Sequence, residues 1–203
     1  NWNLPNQRVR LVELLQTRGN FEQDQFDADW GVVTGGIGAS VQDALAKGYR
    51  IGFVGGTDNH SGFPTRNAEM GQGYIGMACV LADELSREAI WQAMNRRRTY
   101  ATSGKPILCH WTVNGCEMGE ESTFSGDEVR FSAKLHGTAP IERIEVISNG
   151  KVVWRHNPDA LDVVLTDETL PMPADGANAY FYLRLRQYDG HRAWLSPVWV
   201  DRT

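Results

Sequence analysis

At 203 residues the chain is long enough for one or two domains with a sizeable core, and 41% hydrophobic against 22% charged residues excludes a disordered chain. Twenty basic against 25 acidic residues give a net charge of −5, which argues against nonspecific binding to nucleic acid or to an anionic membrane. Cys79, Cys109 and Cys116 are odd in number and lack a Cys-x-x-Cys pair, so neither a disulfide framework nor a thiolate zinc site is indicated.

Arg8 to Gln16, rich in Val and Leu and bounded by Pro5 and by Arg18-Gly19-Asn20, reads as a buried strand followed by a loop. Ser40 then caps a helix over Val41–Lys47, whose Val41, Ala44 and Leu45 share one face and which Gly48 terminates. Ile51–Val54 is a short, uncharged apolar strand. Helix followed at once by such a strand is the pattern of a parallel sheet with covered faces. Ser86 caps a second helix, Arg87 to about Arg97, with Glu88 in its first turn and Ile90, Ala93 and Met94 inward. Arg96-Arg97-Arg98 reads as the charged last turn of that helix.

Past Ser103 the pattern changes to short alternating segments. Leu108–Val113 meets the turn Asn114-Gly115, and Glu128–Leu135 alternates Val129, Phe131, Ala133 and Leu135 with polar neighbours. Glu142–Ile147 meets Asn149-Gly150, and Lys151–Trp154 returns. Ala179–Tyr188 and Ala193–Val200 close the series. The expected organisation is an α/β portion over 1–103 and a β-sandwich over 104–203. Most of the seven tryptophans, Trp111, Trp194 and Trp199 among them, read as core. No stretch has the length of a transmembrane helix, and the first residues lack the layout of a signal peptide. The chain starts within a few residues of a core strand, as a piece of something longer would.

The densest concentration of chemistry is Asp58-Asn59-His60, just after the strand that ends Gly55-Gly56-Thr57. Side chains two apart on an extended chain point to one side, so Asp58 and His60 are candidate ligands of a single cation while Asn59 turns away. A carboxylate and a neutral imidazole suit zinc, manganese or iron. The plain alternative is an Asx turn at Asp58 beside a hydrogen-bonded His60. Upstream, Glu13, Gln16, Arg18 and Glu22 punctuate the first apolar strand. Arg18 can pair with Glu22, or can hold an anionic substrate group. Glu13 must be paired, exposed or metal-bound if its strand is covered on both faces.

The words Asp43-Ala-Leu-Ala-Lys-Gly-Tyr-Arg-Ile-Gly-Phe-Val-Gly-Gly-Thr-Asp-Asn-His-Ser-Gly-Phe-Pro64, Leu85-Ser-Arg-Glu-Ala-Ile-Trp-Gln-Ala-Met94 and Arg97-Arg-Thr-Tyr-Ala-Thr-Ser-Gly104 together resemble the carboxy-terminal half of a PHP-superfamily metal-dependent hydrolase. More narrowly they are similar to the bacterial subfamily designated DUF3604. Gly150-Lys-Val-Val-Trp154 and Arg192-Ala-Trp-Leu-Ser-Pro-Val-Trp-Val200 look like that subfamily's terminal domain, so the likeness covers nearly the whole chain. The resemblance implies that 1–103 is the distal part of a distorted PHP-type (β/α) barrel with a multinuclear divalent-metal site at its carboxyl-terminal face. It assigns the family's last metal motif, Asp-x-His, to Asp58 and His60, and substrate contacts to Arg18, Glu13 and Asn59.

Metal-assisted hydrolysis of a small, phosphorylated substrate follows from the resemblance, in a bacterial cytoplasm or periplasm between which nothing decides. The family's early His-x-His is missing: His60, His110, His136, His156 and His191 are scattered, and the last four read as surface or sheet-edge residues. An upstream PHP half, in the same or another chain, is therefore the expected partner. The alternative is a noncatalytic or degenerate module whose β-sandwich serves recognition or support.

Overall fold

A computed structural model describes residues 2–3, 8–31, 37–60, 62, 75–173 and 178–203. Two sheets organise them. The smaller has the order β2-β1-β3, from β1 (Leu11–Gln16), β2 (Gly19–Asn20) and β3 (Gly52–Gly55). β1 and β3 are parallel, and α1 (Val41–Ala46) lies in the connection between them. α1 starts where the sequence places it. Ser40 and Asp43 form a reciprocal capping box, and Val41, Ala44 and Leu45 are the buried face.

The larger sheet has eleven strands. β4 (Met77–Val80) forms one edge and pairs with β5 (Thr99–Thr102), which follows α2 (Arg87–Asn95). The remainder are β6 (Leu108–Val113), β7 (Cys116–Glu117), β8 (Glu121–Phe124), β9 (Glu128–Ser148), β10 (Lys151–His156), β11 (Ala160–Pro171), β12 (Ala179–Gln187), β13 (Arg192–Leu195) and β14 (Val198–Arg202). The main path runs β4-β5-β13-β12-β9-β6-β7.

β9 explains why this sheet curls. Its first part, to His136, lies between β6 and β11, whereas from Ile141 onward it pairs chiefly with β12 and β10. Gly137 and Pro140 fall between the two sets of partners. Proline removes a ladder donor, and a Cβ at Gly137 would press on the carbonyl of Ala139, so the strand turns there. The segments read separately as Glu128–Leu135 and Glu142–Ile147 are thus one strand. Conversely, Ser196-Pro197 divides the expected run Ala193–Val200 into β13 and β14. Both expected hairpin turns form: Asn114 and Gly115, like Asn149 and Gly150, all have positive φ, as tight hairpins of this twist require.

One apolar core runs through the molecule, from Leu14, Trp30, Phe53 and Tyr100 to Trp111, Phe131, Tyr182, Trp194 and Val200. It is continuous across residues 103 and 104, and β5 joins the large sheet by pairing Ala101 with Trp194. Trp30, Trp111, Trp194 and Trp199 are buried, whereas Trp91 lies exposed on α2.

The arginine cluster differs from its expected place. α2 ends at Asn95, and Arg97 adopts a left-handed backbone that turns its side chain inward. There it pairs with Glu121 at 2.8 Å, donates to the Gly119 carbonyl and lies 4.9 Å over the Trp199 ring. A cation with an acid and an aromatic face at hand is better satisfied inside than at a frayed helix end. No described helix is long and apolar enough to cross a membrane.

Candidate functional site

The site begins with an irregularity in β1. Glu13 lies opposite Val54 and Leu15 opposite Gly55, so the parallel register slips by one residue at Leu14. This bulge lets Leu14, Leu15 and Gln16 all turn inward, while Glu13 stays exposed. β3 stops at Gly55, and Gly56 donates from its N–H to the Leu15 carbonyl at 2.9 Å. A Cβ on Gly76 would strike the carbonyls of both Leu15 and Gly56. Three backbones therefore meet beneath the site, closer than any side chain allows.

Asp58 follows on this floor with a φ of 47°, a left-handed turn rather than continuing strand. Its Oδ2 accepts from Gln16 Nε2 at 2.7 Å and is ion-paired with the Arg18 guanidinium. Its Oδ1 faces His60 Nε2 at 3.7 Å. The Asp58 side chain is one-quarter exposed and that of His60 84% exposed. Asp58 and His60 thus come together through a turn, not through the two-residue period of a strand. The Asp58 side chain reaches back to the end of β1, a contact that an Asx turn does not make. Asn59 donates from its backbone N–H to Thr57 Oγ1 at 3.4 Å.

Glu13 lies across the Gly56 backbone. Partial burial there raises its carboxyl above the ordinary range, and the Arg18 charge opposes that rise. Glu13, Arg18, Asp58, Asn59 and His60 therefore gather at the carboxyl edge of the parallel pair β1/β3, where open α/β sheets place their ligands. Gln16 belongs with them, although the sequence marks it only as a polar end to an apolar strand. The signal was there: a buried amide must find partners.

As a metal centre this set is partial. Two donor atoms 3.7 Å apart fit a shared first-row cation with bonds of about 2.1 Å. Among the described residues, however, no group of three or more His, Cys, Asp and Glu side chains surrounds a common point. Of the other four histidines, three have polar partners in the β-rich part, and His156 packs its ring against Trp154 with centroids 5.8 Å apart. His110 pairs with Glu117 at 2.7 Å, His136 with Asp162 at 2.5 Å, and His191 Nδ1 contacts Ser103.

Arg18 does not pair with Glu22. Glu22 is fully buried and accepts from Tyr182 Oη at 2.6 Å, Arg184 at 2.7 Å and Trp194 Nε1 at 2.9 Å. Arg184 also binds Glu145, buried as completely, at 2.6 and 2.9 Å, and lies 4.0 Å over the Trp30 ring. Burial works against the Arg184 charge, but the Glu22 and Glu145 carboxylates outweigh it and hold the guanidinium protonated. Burial first, and then Glu22, push the Tyr182 hydroxyl well above its usual range, which keeps it a donor. This network fastens the segment leading out of β2 to β12 and β13.

Residues 66–134 match the family model described as "Protein of unknown function (DUF3604)". An uncharacterized protein of Chlamydia muridarum is 29% identical over 213 residues, covering 95% of this chain and 34% of that protein. One of Chlamydia trachomatis matches to the same extent, and one of Chlamydia pneumoniae is 31% identical over 179 residues, covering 80% of this chain and 29% of its own length. The chain therefore spans about a third of the length of these curated relatives. No solved structure matches it.

Proposed function

We propose that this chain is the distal, metal-ligating portion of a PHP-type metal-dependent hydrolase acting on a phosphoester. The reading rests on one observation above the others: Asp58 has one oxygen saturated by Gln16 and Arg18, and turns the other toward His60 at the carboxyl edge of a parallel β–α–β unit. On this reading the β1–α1–β3 unit is the portion of the barrel within 1–103, and the strands of 104–203 belong to a β-sandwich that β4 and β5 extend. The remaining ligands come from an upstream half in the same or another chain, in keeping with relatives about three times as long.

Asp58 and His60 would hold a zinc, manganese or iron ion, which when bound would supply a water acidified toward neutral pH and positive charge for a phosphoryl oxygen. Arg18, 60% exposed, exchanges its carboxylate partner for the anionic group of a substrate, with Glu13 and Asn59 flanking it. The net charge of −5 favours a small-molecule substrate over nucleic acid.

The incomplete donor set supports a second reading, a noncatalytic module whose β-rich part serves recognition. Metal content and hydrolysis of a chromogenic phosphoester, measured on the chain alone and with the upstream half, separate the two. The hydrolase reading expects bound first-row metal, lowered at least tenfold by Asp58→Ala with His60→Ala in a protein that still folds. Absence of both metal and turnover under all these conditions overturns it.

A further inference from the structure

We propose that Gln16 is the positioning residue of this site, fixing Asp58 so that it offers a single oxygen to a cation; this rests on the metal reading above. Gln16 is the last residue of β1 and only 4% exposed. Both ends of its amide are engaged. Its Oε1 accepts from the Arg18 backbone N–H at 2.7 Å, and because a backbone N–H can only donate, the opposite end must be the NH2 group. That group meets Asp58 Oδ2 at 2.7 Å, across 42 residues of sequence. The orientation of the amide is thus set by the turn it closes, and the orientation of the carboxylate by the amide.

The consequence is directional. With Oδ2 occupied by Gln16 and Arg18, ligation through both oxygens would break a partly buried hydrogen bond, so Oδ1 is the oxygen left for a metal, on the side of His60. Closing the turn at 16–18 needs only the carbonyl oxygen of the amide. The contact from its nitrogen to Asp58 adds nothing to that turn and acts on the site.

The test is a Zn2+ titration of the 203-residue chain followed by NMR, reading the His60 ring protons and the Gln16 side-chain amide protons. In the wild type both sets of signals should move with one midpoint. Gln16→Met, close in length but lacking both the donor to Asp58 and the acceptor for the Arg18 N–H, should weaken the His60-detected affinity about tenfold, and Gln16→Glu, which keeps the acceptor but cannot donate as a carboxylate, should weaken it as well. The far-ultraviolet circular dichroism of both variants should match the wild type. An unchanged midpoint in either folded variant overturns the proposal, as do Gln16 amide signals that stay still while His60 moves. The wild-type amide signals decide the matter alone if neither variant folds. A wild type whose His60 signals ignore Zn2+ both alone and with the upstream half added removes the metal reading itself, and the role of Gln16 with it.

Discussion

Arg184→Met asks how strongly the two halves of the sequence are joined. The guanidinium makes three hydrogen bonds, one to Glu22 and two to Glu145, both fully buried, and covers Trp30. Methionine restores much of the volume but no charge. Glu145 retains Arg155 at 2.7 Å, whereas Glu22 keeps the neutral donors Tyr182 and Trp194. Removing one partner of a buried pair costs about 3–5 kcal/mol, because the other charge stays desolvated. With a urea m-value of about 2 kcal/mol per molar, the unfolding midpoint should fall by about 2 M. Tryptophan fluorescence is the natural probe, since Trp30 and Trp194 both touch the network. Adding Glu22→Gln to Arg184→Met removes the orphaned charge and should recover at least half of the loss. A fall of less than about 0.5 M in the single variant, or a double variant no better than the single, would refute the reasoning.

Glu13→Gln should give a small, pH-dependent gain. A carboxyl whose folded pKa lies above its unfolded value contributes stability that is fully present at pH below the unfolded value and is lost as pH rises through the folded one. The variant should therefore match the wild type near pH 3.5 and exceed it at pH 7 by well under 1 kcal/mol, since the side chain is largely exposed and screened. Denaturant titrations at both pH values check the sign, and a variant less stable at pH 7 contradicts it. Gly76→Ala drives a methyl group into two backbone carbonyls and should cost about 2 kcal/mol or more in thermal unfolding. Gly190→Ala, with open space around its Cβ site, bears only the strain of its positive φ, about 1 kcal/mol. Equal losses at the two glycines would mean that the backbones under the site have room to move apart.

Local chemistry was legible in the sequence and distant chemistry was not. Ser40, Ser86, Asn114-Gly115 and Asn149-Gly150 act on neighbours within a few residues, so their types alone place helix starts and hairpins. The alternation of Val129, Phe131, Ala133 and Leu135 likewise identifies a strand with one buried side. Yet nothing in that alternation says that the strand continues through Gly137 and Pro140 to change partners. Arg18 and Glu22 stand four apart and invite pairing, but the bulge at Leu14 and the burial of Glu22 send them to Asp58 and Arg184. Gln16 stands out in the sequence only as a polar end to an apolar strand, because its importance lies in a contact 42 residues away.

The Glu22–Arg184 pair also has a consequence for the order in which the molecule is made. With 162 residues between the partners, β1, β2 and the Glu22 carboxylate emerge from the ribosome long before the cation that compensates them. β9 must likewise await β10, β11 and β12. Stable structure in the early segment is therefore deferred until β12 and β13 have been synthesised, so folding is governed by long-range closure and should be slow for a chain of this size. A nascent chain stalled before residue 184 would hold the chemistry of the Asp58 site without the scaffold that shapes it, and would be a target for chaperones or proteases rather than a working half.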